Sequence, residues 1–265
     1  MNSPSPQAFP DLEGRRVIVT AGAAGIGRSF VEAFHRAGAK LFVCDIVDER
    51  LEALRAERPS VGVVKADVAD PVQVDAFVDL AVRTMGGLDI LINNAGIAGP
   101  AAPVEEISSD DWNRVFAVNV AGPFHCARRA VPHLKKAGGG AIVNMASVAG
   151  KFGFPLRSPY STSKWAVIGF TKSLAIELGP SKIRVNAILP GIVSGERIRQ
   201  VFTARAAAKG ISYDEMARQA LERVSLRTMV DPEEIADLVL FLCSRYGRAI
   251  TGDAIEICGG TESIV

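Results

Sequence analysis

Short apolar runs alternate with longer amphipathic segments along almost the whole chain. The first run, Arg16–Thr20, is rich in β-branched residues, and a glycine-rich turn follows it. From Gly27 the apolar positions repeat with a helical period until about Gly38. Further strands are predicted at residues 40–44, 61–65, 88–92, 141–145, 183–189 and 254–257. Helices are predicted from residue 51 to residue 59 and at residues 71–85, 108–136, 159–178 and 231–243.

Strands that alternate with helices of this length predict right-handed crossovers and a parallel sheet covered on both faces. The expected fold class is α/β: a single-domain, doubly wound parallel sheet, which is a Rossmann-type three-layer sandwich. We expect this catalytic domain to span residues 11–265. Residues 1–10, rich in Ser and Pro, are expected to form a flexible lead-in. Residues 193–230 read as a helical insertion that covers the substrate like a lid.

Composition narrows the classes of partner. The 265 residues are 48% hydrophobic and carry a net charge of +1, which does not suggest a nucleic-acid binder or a disordered chain. No apolar run approaches the ~20 residues that a membrane span needs. Four widely spaced cysteines favour buried thiols in a reducing cytoplasm over disulfides or structural zinc. The three histidines form no metal-binding pattern, so no metal is expected.

The glycine-rich turn after the first strand predicts a dinucleotide site. A pyrophosphate needs backbone N–H groups at a helix N-terminus with no Cβ in the way, and Gly22, Gly25 and Gly27 satisfy that need. Asp45, after the second strand, is placed to accept hydrogen bonds from both ribose hydroxyls of NAD and to repel the additional phosphate of NADP. The pattern therefore favours NAD.

Three further residues have the chemistry of alcohol oxidation. Tyr160 and Lys164 lie four apart on a predicted helix and share one face, so the ammonium can stabilise the phenolate form of the tyrosine. Ser147 follows a strand and can donate a hydrogen bond to a substrate oxygen as charge develops there. The residues around Ser147 lack the glycines of a hydrolase nucleophile elbow, and acid pairs such as Glu233-Glu234 cap helices.

Taken together, the motifs of the chain resemble those of the classical short-chain dehydrogenase/reductase family, from about residue 12 to residue 260. The resemblance rests on the glycine-rich turn, Asp67-Val68, Asn93-Asn94-Ala95-Gly96, Asn119, Ser147, Tyr160-Ser161-Thr162-Ser163-Lys164 and Pro190-Gly191. Three positions depart from the family pattern. Ala21 replaces the first turn glycine, Gly195 stands where threonine is frequent, and Cys258 replaces an aspartate before Gly259-Gly260.

The resemblance implies a role for each matching residue. Tyr160 is expected to be the acid/base, Ser147 to orient the substrate, and Asn119 to hold a water that relays protons to Lys164. Lys164 is also expected to bind the nicotinamide ribose, with Tyr160 beside the cofactor. The other cofactor contacts implied by the resemblance are Ile26 at the turn, Asp67 and Val68 at the adenine, Asn94 near the adenosine ribose, and Val193 at the carboxamide. A homotetramer is implied as well.

The expected function is hydride transfer between NAD(H) and a small secondary alcohol or ketone. Two alternatives remain open. Sugar-nucleotide epimerases and dehydratases share the Tyr–Lys pair and retain NAD, but they generally carry a larger C-terminal substrate domain. A non-catalytic NAD-sensing protein would not need Ser147, Tyr160 and Lys164 together.

Arginines are frequent in the two segments expected to line the substrate pocket. They are Arg157, Arg197, Arg199, Arg205, Arg218, Arg223 and Arg227. One of them is a candidate to bind an anionic group of the substrate, such as a carboxylate. The pattern favours the other interpretation, a solvated helix face balanced by Glu196, Asp214, Glu215 and Glu222.

Overall fold

A single parallel sheet organises the protein. The computed structural model describes residues 9–262, and within them seven parallel strands follow the order β3-β2-β1-β4-β5-β6-β7. This arrangement confirms the expected fold class. The strands are β1 Arg16–Thr20, β2 Lys40–Asp45, β3 Gly62–Lys65, β4 Ile90–Asn93, β5 Gly140–Met145, β6 Ile183–Pro190 and β7 Ala254–Ile257.

Helices cover both faces of the sheet. In the described part of the chain they are α1 Gly25–Arg36, α2 Asp48–Glu57, α3 Pro71–Met85, α4 Ser109–Phe116, α5 Gly122–Lys136, α6 Ser158–Leu178, α7 Glu196–Lys209, α8 Tyr213–Leu221 and α9 Pro232–Cys243. On one face α1 packs against α9, and their apolar sides meet β1 in a core that contains Phe30 and Val239. On the other face α3, α5 and α6 build a core around Phe77 and Leu134. Burial on both faces accounts for the almost uninterrupted apolar strands.

The strand order reverses between β1 and β4. β1 pairs with β2 on one side and with β4 on the other, so the two βαβ series run in opposite directions from this point. An ion pair fixes the start of both strands, because Arg16 Nε lies 2.7 Å from Asp89 Oδ2 and the Arg16 backbone N–H donates to the same oxygen. In sheets of this kind the ligand crevice opens at the carboxyl ends of the strands beside the reversal.

The expected long helix at residues 108–136 is interrupted. Ser108 caps its start by accepting a hydrogen bond from the Asp111 N–H, as the sequence indicates. The wider turns of a π-helix then replace α-helical turns at Ala117–Ala121, between α4 and α5. Asn119 lies in the middle of this segment and is 1% exposed. Single-turn π segments are frequent at functional sites.

The insertion at residues 193–230 contains helices α7 and α8. It has a small core of its own, in which Phe202, Ala206 and Met216 are buried. A parallel bridge between Val193 and Val230 closes its base. The insertion is therefore a packed helical unit above the carboxyl end of β6.

Some general features can be stated for the described residues. Residues 1–8 of the expected lead-in lie outside them, and Pro10–Leu12 forms a turn of 3-10 helix. Across residues 9–262, no helix has both the length and the apolar character to cross a membrane. The same residues hold no group of three His, Cys, Asp or Glu side chains suited to a metal ion. The four cysteines are free thiols and are buried.

Candidate active site

The glycine-rich turn is held against the end of β4. Thr20 Oγ1 accepts hydrogen bonds of 3.0 Å from the backbone N–H groups of Asn94 and Ala95. The Asn94 side-chain amide donates in return to the carbonyls of Thr20 and Ala21. A Cβ on Gly27 would lie 2.1 Å from the Ala21 carbonyl oxygen, so only glycine fits there. Asn94 thus fixes the turn through these hydrogen bonds, and its expected place near the ribose stays a prediction.

The N-terminus of α1 offers free backbone donors. The residue that caps the helix is Ala24, which has no side-chain oxygen to accept a hydrogen bond from the first turn. At Gly25 the φ is +54°, and an added Cβ would meet no atom within 4 Å. Unpaired N–H groups and the positive end of the helix dipole form a site for an anion. The turn therefore fits the pyrophosphate of a dinucleotide, and the expected contacts of Gly22, Gly25 and Gly27 with it stay predictions.

Asp45 lies at the end of β2 beside this turn and is 6% exposed. Its Oδ2 accepts a hydrogen bond of 3.3 Å from the Ala23 N–H, and its Oδ1 accepts one of 2.8 Å from the Ile46 N–H. Arg28 is the cation that directly follows the glycine-rich turn, and Glu32 and Glu57 bind its guanidinium. The carboxylate consequently dominates the electrostatics at the end of β2.

The remaining predicted cofactor residues follow strand ends or lie in the turn. Ile26 is half-buried and packs on the core of the α1 face. Asp67 follows β3 and pairs with Arg114 at 2.9 Å, while Val68 is buried against Gly122 at the start of α5. Val193 follows β6 at the base of the insertion. Their contacts with a cofactor stay predictions.

Lys164 is the most buried cation of the site. It is 4% exposed, and its Nζ donates a hydrogen bond of 2.7 Å to the Met145 carbonyl at the end of β5. Burial lowers the pKa of Lys164 to about 8, and the nearby Arg197 guanidinium acts in the same direction. An ammonium that is costly to bury is held here by few partners, which is typical of a group retained for chemistry.

Tyr160 lies beside Lys164, and Ser147 lies just beyond the strand that binds Lys164. Lys164 Nζ lies 5.6 Å from the centroid of the Tyr160 ring, as their spacing on α6 predicts. Ser147 follows β5, two residues beyond the carbonyl that binds Lys164. Its Oγ accepts a hydrogen bond from the Ala149 N–H at 3.2 Å, which leaves the hydroxyl proton free for another acceptor.

Asn119 joins three segments of the site. Its Oδ1 accepts from the Ile97 N–H at 2.8 Å, and its Nδ2 donates to the Ile97 carbonyl and to Ser163 Oγ, both at 2.9 Å. Ser163 donates in turn to the Tyr160 carbonyl at 2.7 Å. The π segment is thereby connected to the loop after β4 and to the first turns of α6.

Two contributors to the site were not singled out from the sequence. Ser163 is fully buried and bridges Asn119 to the Tyr160 backbone. A Cβ on Gly96 would lie 3.3 Å from Lys164 Nζ and 3.4 Å from Asn119 Oδ1, so Gly96 keeps the space beside both groups narrow but open. Both residues lie within motifs that carry the family resemblance, and this was the only feature of the sequence that pointed to a role for them.

Comparison with known proteins supports this reading. A family model described as enoyl-(acyl carrier protein) reductase matches residues 21–262. A Rhizobium meliloti protein named "Probable galactose dehydrogenase" is 37% identical over 98% of this chain and 99% of its own. A Mycobacterium bovis 3-alpha-(or 20-beta)-hydroxysteroid dehydrogenase is 38% identical over 94% of this chain and 90% of its own.

A solved structure agrees with the fold as well as the sequence. The NAD⁺-bound xylitol dehydrogenase superimposes with a TM-score of 0.87 at 33% identity, and the match covers 94% of this chain and 99% of that one. Similarity of this extent, in sequence and in fold, covers the cofactor turn, the Tyr–Lys helix and the insertion alike. The chain therefore belongs to the classical short-chain dehydrogenase/reductase family of oxidoreductases.

Proposed function

We propose that the protein transfers a hydride between NAD(H) and a small secondary alcohol or ketone. The observation that supports this most directly is the buried Lys164 ammonium beside the Tyr160 ring, at the strand edge that also carries the glycine-rich turn. An acid/base group and a dinucleotide site at one edge of the sheet are the two requirements of this chemistry.

Each residue has a separate proposed role in ketone reduction. A reduced nicotinamide bound beside these residues would supply the hydride for the carbonyl carbon. The Tyr160 hydroxyl gives its proton to the carbonyl oxygen, and Ser147 donates a hydrogen bond to the same oxygen as charge develops. Lys164 stabilises the resulting phenolate. Alcohol oxidation follows the same path in reverse.

Proton supply to Tyr160 is the proposed role of Asn119. Its side chain is held rigidly by Ile97 and Ser163, and its Oδ1 shares with Lys164 Nζ the narrow space beside Gly96. A water held there would connect Lys164 to the outside of the site, as the family resemblance implies. The reprotonation of the phenolate then proceeds through Lys164.

We propose that the protein prefers NAD to NADP because of the charges beside the glycine-rich turn. The Asp45 carboxylate faces the turn, and Glu32 and Glu57 neutralise Arg28, the cation nearest to it in the turn and helix. A phosphate on the ribose would meet an anion there and gain no free cation. The NAD⁺-bound state of the xylitol dehydrogenase supports the same preference.

The homotetramer and the cytoplasmic location implied by the sequence remain part of the proposal. Large apolar side chains on the helices of one face support self-association, since Phe124 is 47% exposed and Trp165 is 54% exposed. Trp112 of α4 stacks on Phe116 and is also exposed. Free buried thiols are compatible with a reducing compartment.

The test is a turnover screen followed at the absorbance of the reduced nicotinamide. The purified protein is assayed with NAD(H) and NADP(H) against a panel of secondary alcohols and ketones. We expect turnover with NAD(H), and a fall in kcat of about 10²–10⁴-fold in Tyr160→Phe, which keeps the ring but removes the proton donor. Turnover in Tyr160→Phe equal to that of the unmodified enzyme would disprove the mechanism. Tyr246→Phe, an exposed tyrosine outside the site, is the matched control.

A further inference from the structure

After β7 the chain crosses over to the residues that follow α8 of the insertion. Val224 lies opposite Thr261 in an antiparallel bridge. The Gly260 carbonyl accepts a hydrogen bond from the Ser225 N–H at 3.0 Å and another from the Ser225 hydroxyl at 2.9 Å. Residues 258–262 therefore form a strap that joins the last strand of the sheet to the end of the insertion.

Two consecutive glycines bring the strap against the insertion. Gly259 has a φ of +63° and Gly260 a φ of +76°, both in the left-handed region that favours glycine. A Cβ on Gly259 would lie 2.9 Å from Val224 Cγ1. A Cβ on Gly260 would lie 2.7 Å from Ser225 Oγ and 2.9 Å from Ser225 Cβ. A larger residue at either position would therefore separate the strap from the insertion.

The other end of the strap is fixed to the sheet. The Gly191 N–H donates to the Ile257 carbonyl at 3.0 Å, just beyond the last paired residues of β6 and β7. A Cβ on Gly191 would lie 2.8 Å from Cys258 Cβ, so the first residue of the strap packs directly on the turn after β6. Cys258 is buried, and its Sγ accepts a hydrogen bond from the Thr261 N–H at 3.3 Å. The strap thus leaves the sheet from a point that is held by close packing.

The insertion rises from the strand next to the one that binds Lys164. Met145, whose carbonyl accepts the Lys164 hydrogen bond, pairs with Ile188 of β6. β6 ends at Pro190, and the insertion begins soon afterwards at Val193. The insertion therefore borders the edge of the sheet at which the catalytic pair is proposed to act.

Hydrogen bonds also hold the base of the insertion. The Ser194 N–H donates to the Val230 carbonyl at 2.9 Å, and the Ser194 hydroxyl donates to Asp231 Oδ1 at 2.6 Å. Between this base and the strap lie α7 and α8, which pack on each other around the buried Phe202. At Gly195, just before α7, the φ is +137° and an added Cβ would meet no atom within 4 Å. The backbone thus has room to turn at the start of α7.

We propose that Gly260 and Ser225 are positioning residues that set how far α7 and α8 close over the substrate. The two helices swing about Gly195 as one packed unit, and the strap holds their far end close to the sheet. Because the strap restricts that end, the closed arrangement is already favoured before a substrate binds, and less of the binding free energy is needed to form it. This inference rests on the proposed function and assigns the part of the fold that controls closure.

Gly260→Ala tests the strap by adding the Cβ that the close contact excludes. The apparent affinity for a substrate scales with the fraction of the protein that is in the competent arrangement, so a roughly tenfold fall in that fraction raises KM about tenfold. We expect a rise of this size in KM for the best ketone of the panel, while kcat and KM for NADH stay close to those of the unmodified protein. Steady-state kinetics with NADH measure all three.

Two further variants separate the contact from backbone strain. Gly86→Ala places an alanine at a φ of +77°, at the C-cap of α3, where an added Cβ meets no atom within 4 Å. It matches the strain of Gly260→Ala without the contact and should leave KM for the ketone unchanged. Ser225→Gly combined with Gly260→Ala removes the side chain that the new methyl group meets and should restore most of the KM. Equal rises in Gly260→Ala and Gly86→Ala, or no rescue by Ser225→Gly, would overturn the assignment.

Hydrogen exchange followed by mass spectrometry tests the strap without turnover. The Ser225 and Leu226 N–H groups donate to carbonyls of the strap, so peptides that cover residues 222–230 should exchange slowly. We expect exchange in these peptides to be at least about tenfold faster in Gly260→Ala and unchanged in Gly86→Ala. Unchanged exchange in Gly260→Ala would refute the strap.

The two measurements together distinguish the strap from the proposed function. Faster exchange with an unchanged KM for the ketone would show that the strap ties down the insertion but does not position it for the substrate, which overturns the inference. Faster exchange in a protein that turns over no member of the panel would mean that the proposed function fails, and the role in closure fails with it. Faster exchange together with a higher KM for the ketone alone supports the proposal.

Discussion

Ala21 stands where the resemblance to the family implies a glycine. Its φ is +50°, in the left-handed region that favours glycine. Asn94 holds the Ala21 carbonyl from below with a hydrogen bond of 3.0 Å. The hydrogen bond from Asn94 therefore holds Ala21 in a backbone conformation that the Cβ of alanine disfavours.

Replacement of Ala21 by glycine should relieve this strain. We expect the free energy of unfolding to rise by about 0.5–1 kcal/mol, because relief of the left-handed strain exceeds the extra chain entropy of glycine. Chemical denaturation of both proteins measures the change. Ala23→Gly is the control, since Ala23 is buried and has no positive φ, and it should lower stability. A loss of stability in Ala21→Gly would show that the alanine is not strained.

At the scale of elements, the π segment between α4 and α5 is the feature that matters most for the site. It gives Asn119 its place between the loop after β4 and the start of α6. Ile97 is half-buried and Ser163 is buried, and the Asn119 side chain bonds both backbone groups of Ile97 and donates to Ser163 Oγ. The π segment thus links the loop after β4 to the start of α6, and it is also a candidate part of the proton path.

Asn119→Ala tests both roles together. Truncation leaves the Ile97 backbone groups without their partner and removes the donor to Ser163 Oγ, so we expect the free energy of unfolding to fall by about 1–3 kcal/mol. Loss of the proton path should also lower kcat by at least about tenfold. Asn113→Ala, at an exposed position on α4, serves as the control for both measurements. Full activity in Asn119→Ala would remove this residue from the proton path.

The same region shows where prediction from the sequence stops. The periodicity that predicts one helix at residues 108–136 is preserved on both sides of the π segment, because widening of one turn leaves most apolar positions on the buried side. What selects the wider turn is the set of contacts that Asn119 makes with distant residues. The order of the strands and helices, by contrast, follows from local patterns, and the structure confirms it.

At the scale of the whole molecule, the reversal of strand order places the candidate site. The predicted catalytic and cofactor residues lie at the carboxyl ends of strands: Asp45 is the last residue of β2, Asn94 follows β4 and Ser147 follows β5. Parallel strands bring these ends to one edge of the sheet. A dinucleotide bound there would contact both βαβ series at once, and its binding would stabilise the domain as a unit.

This linkage predicts a cofactor-dependent shift in thermal stability. At a concentration of about 100 times its Kd, NAD should stabilise the protein by about 2.7 kcal/mol, whereas NADP at the same concentration should give a markedly smaller rise in Tm. Differential scanning fluorimetry measures both. Asp45→Asn should reduce the difference between the rise in Tm with NAD and the rise with NADP. Tyr160→Phe should leave that difference unchanged, because the tyrosine is proposed to act in the chemistry. Equal shifts with both dinucleotides would contradict the proposed preference.

The position of β1 in the sheet also has a consequence for synthesis of the chain. Arg16, at the start of β1, and Asp89, just before β4, are 73 positions apart, so one edge of β1 has no neighbour until the ribosome has made β4. At roughly 5–20 residues per second, that wait lasts roughly 4–15 s. An apolar strand with unpaired N–H and carbonyl groups is a template for contact with other nascent chains. The first ninety residues are therefore a stretch in which this protein needs protection from aggregation while it is being translated.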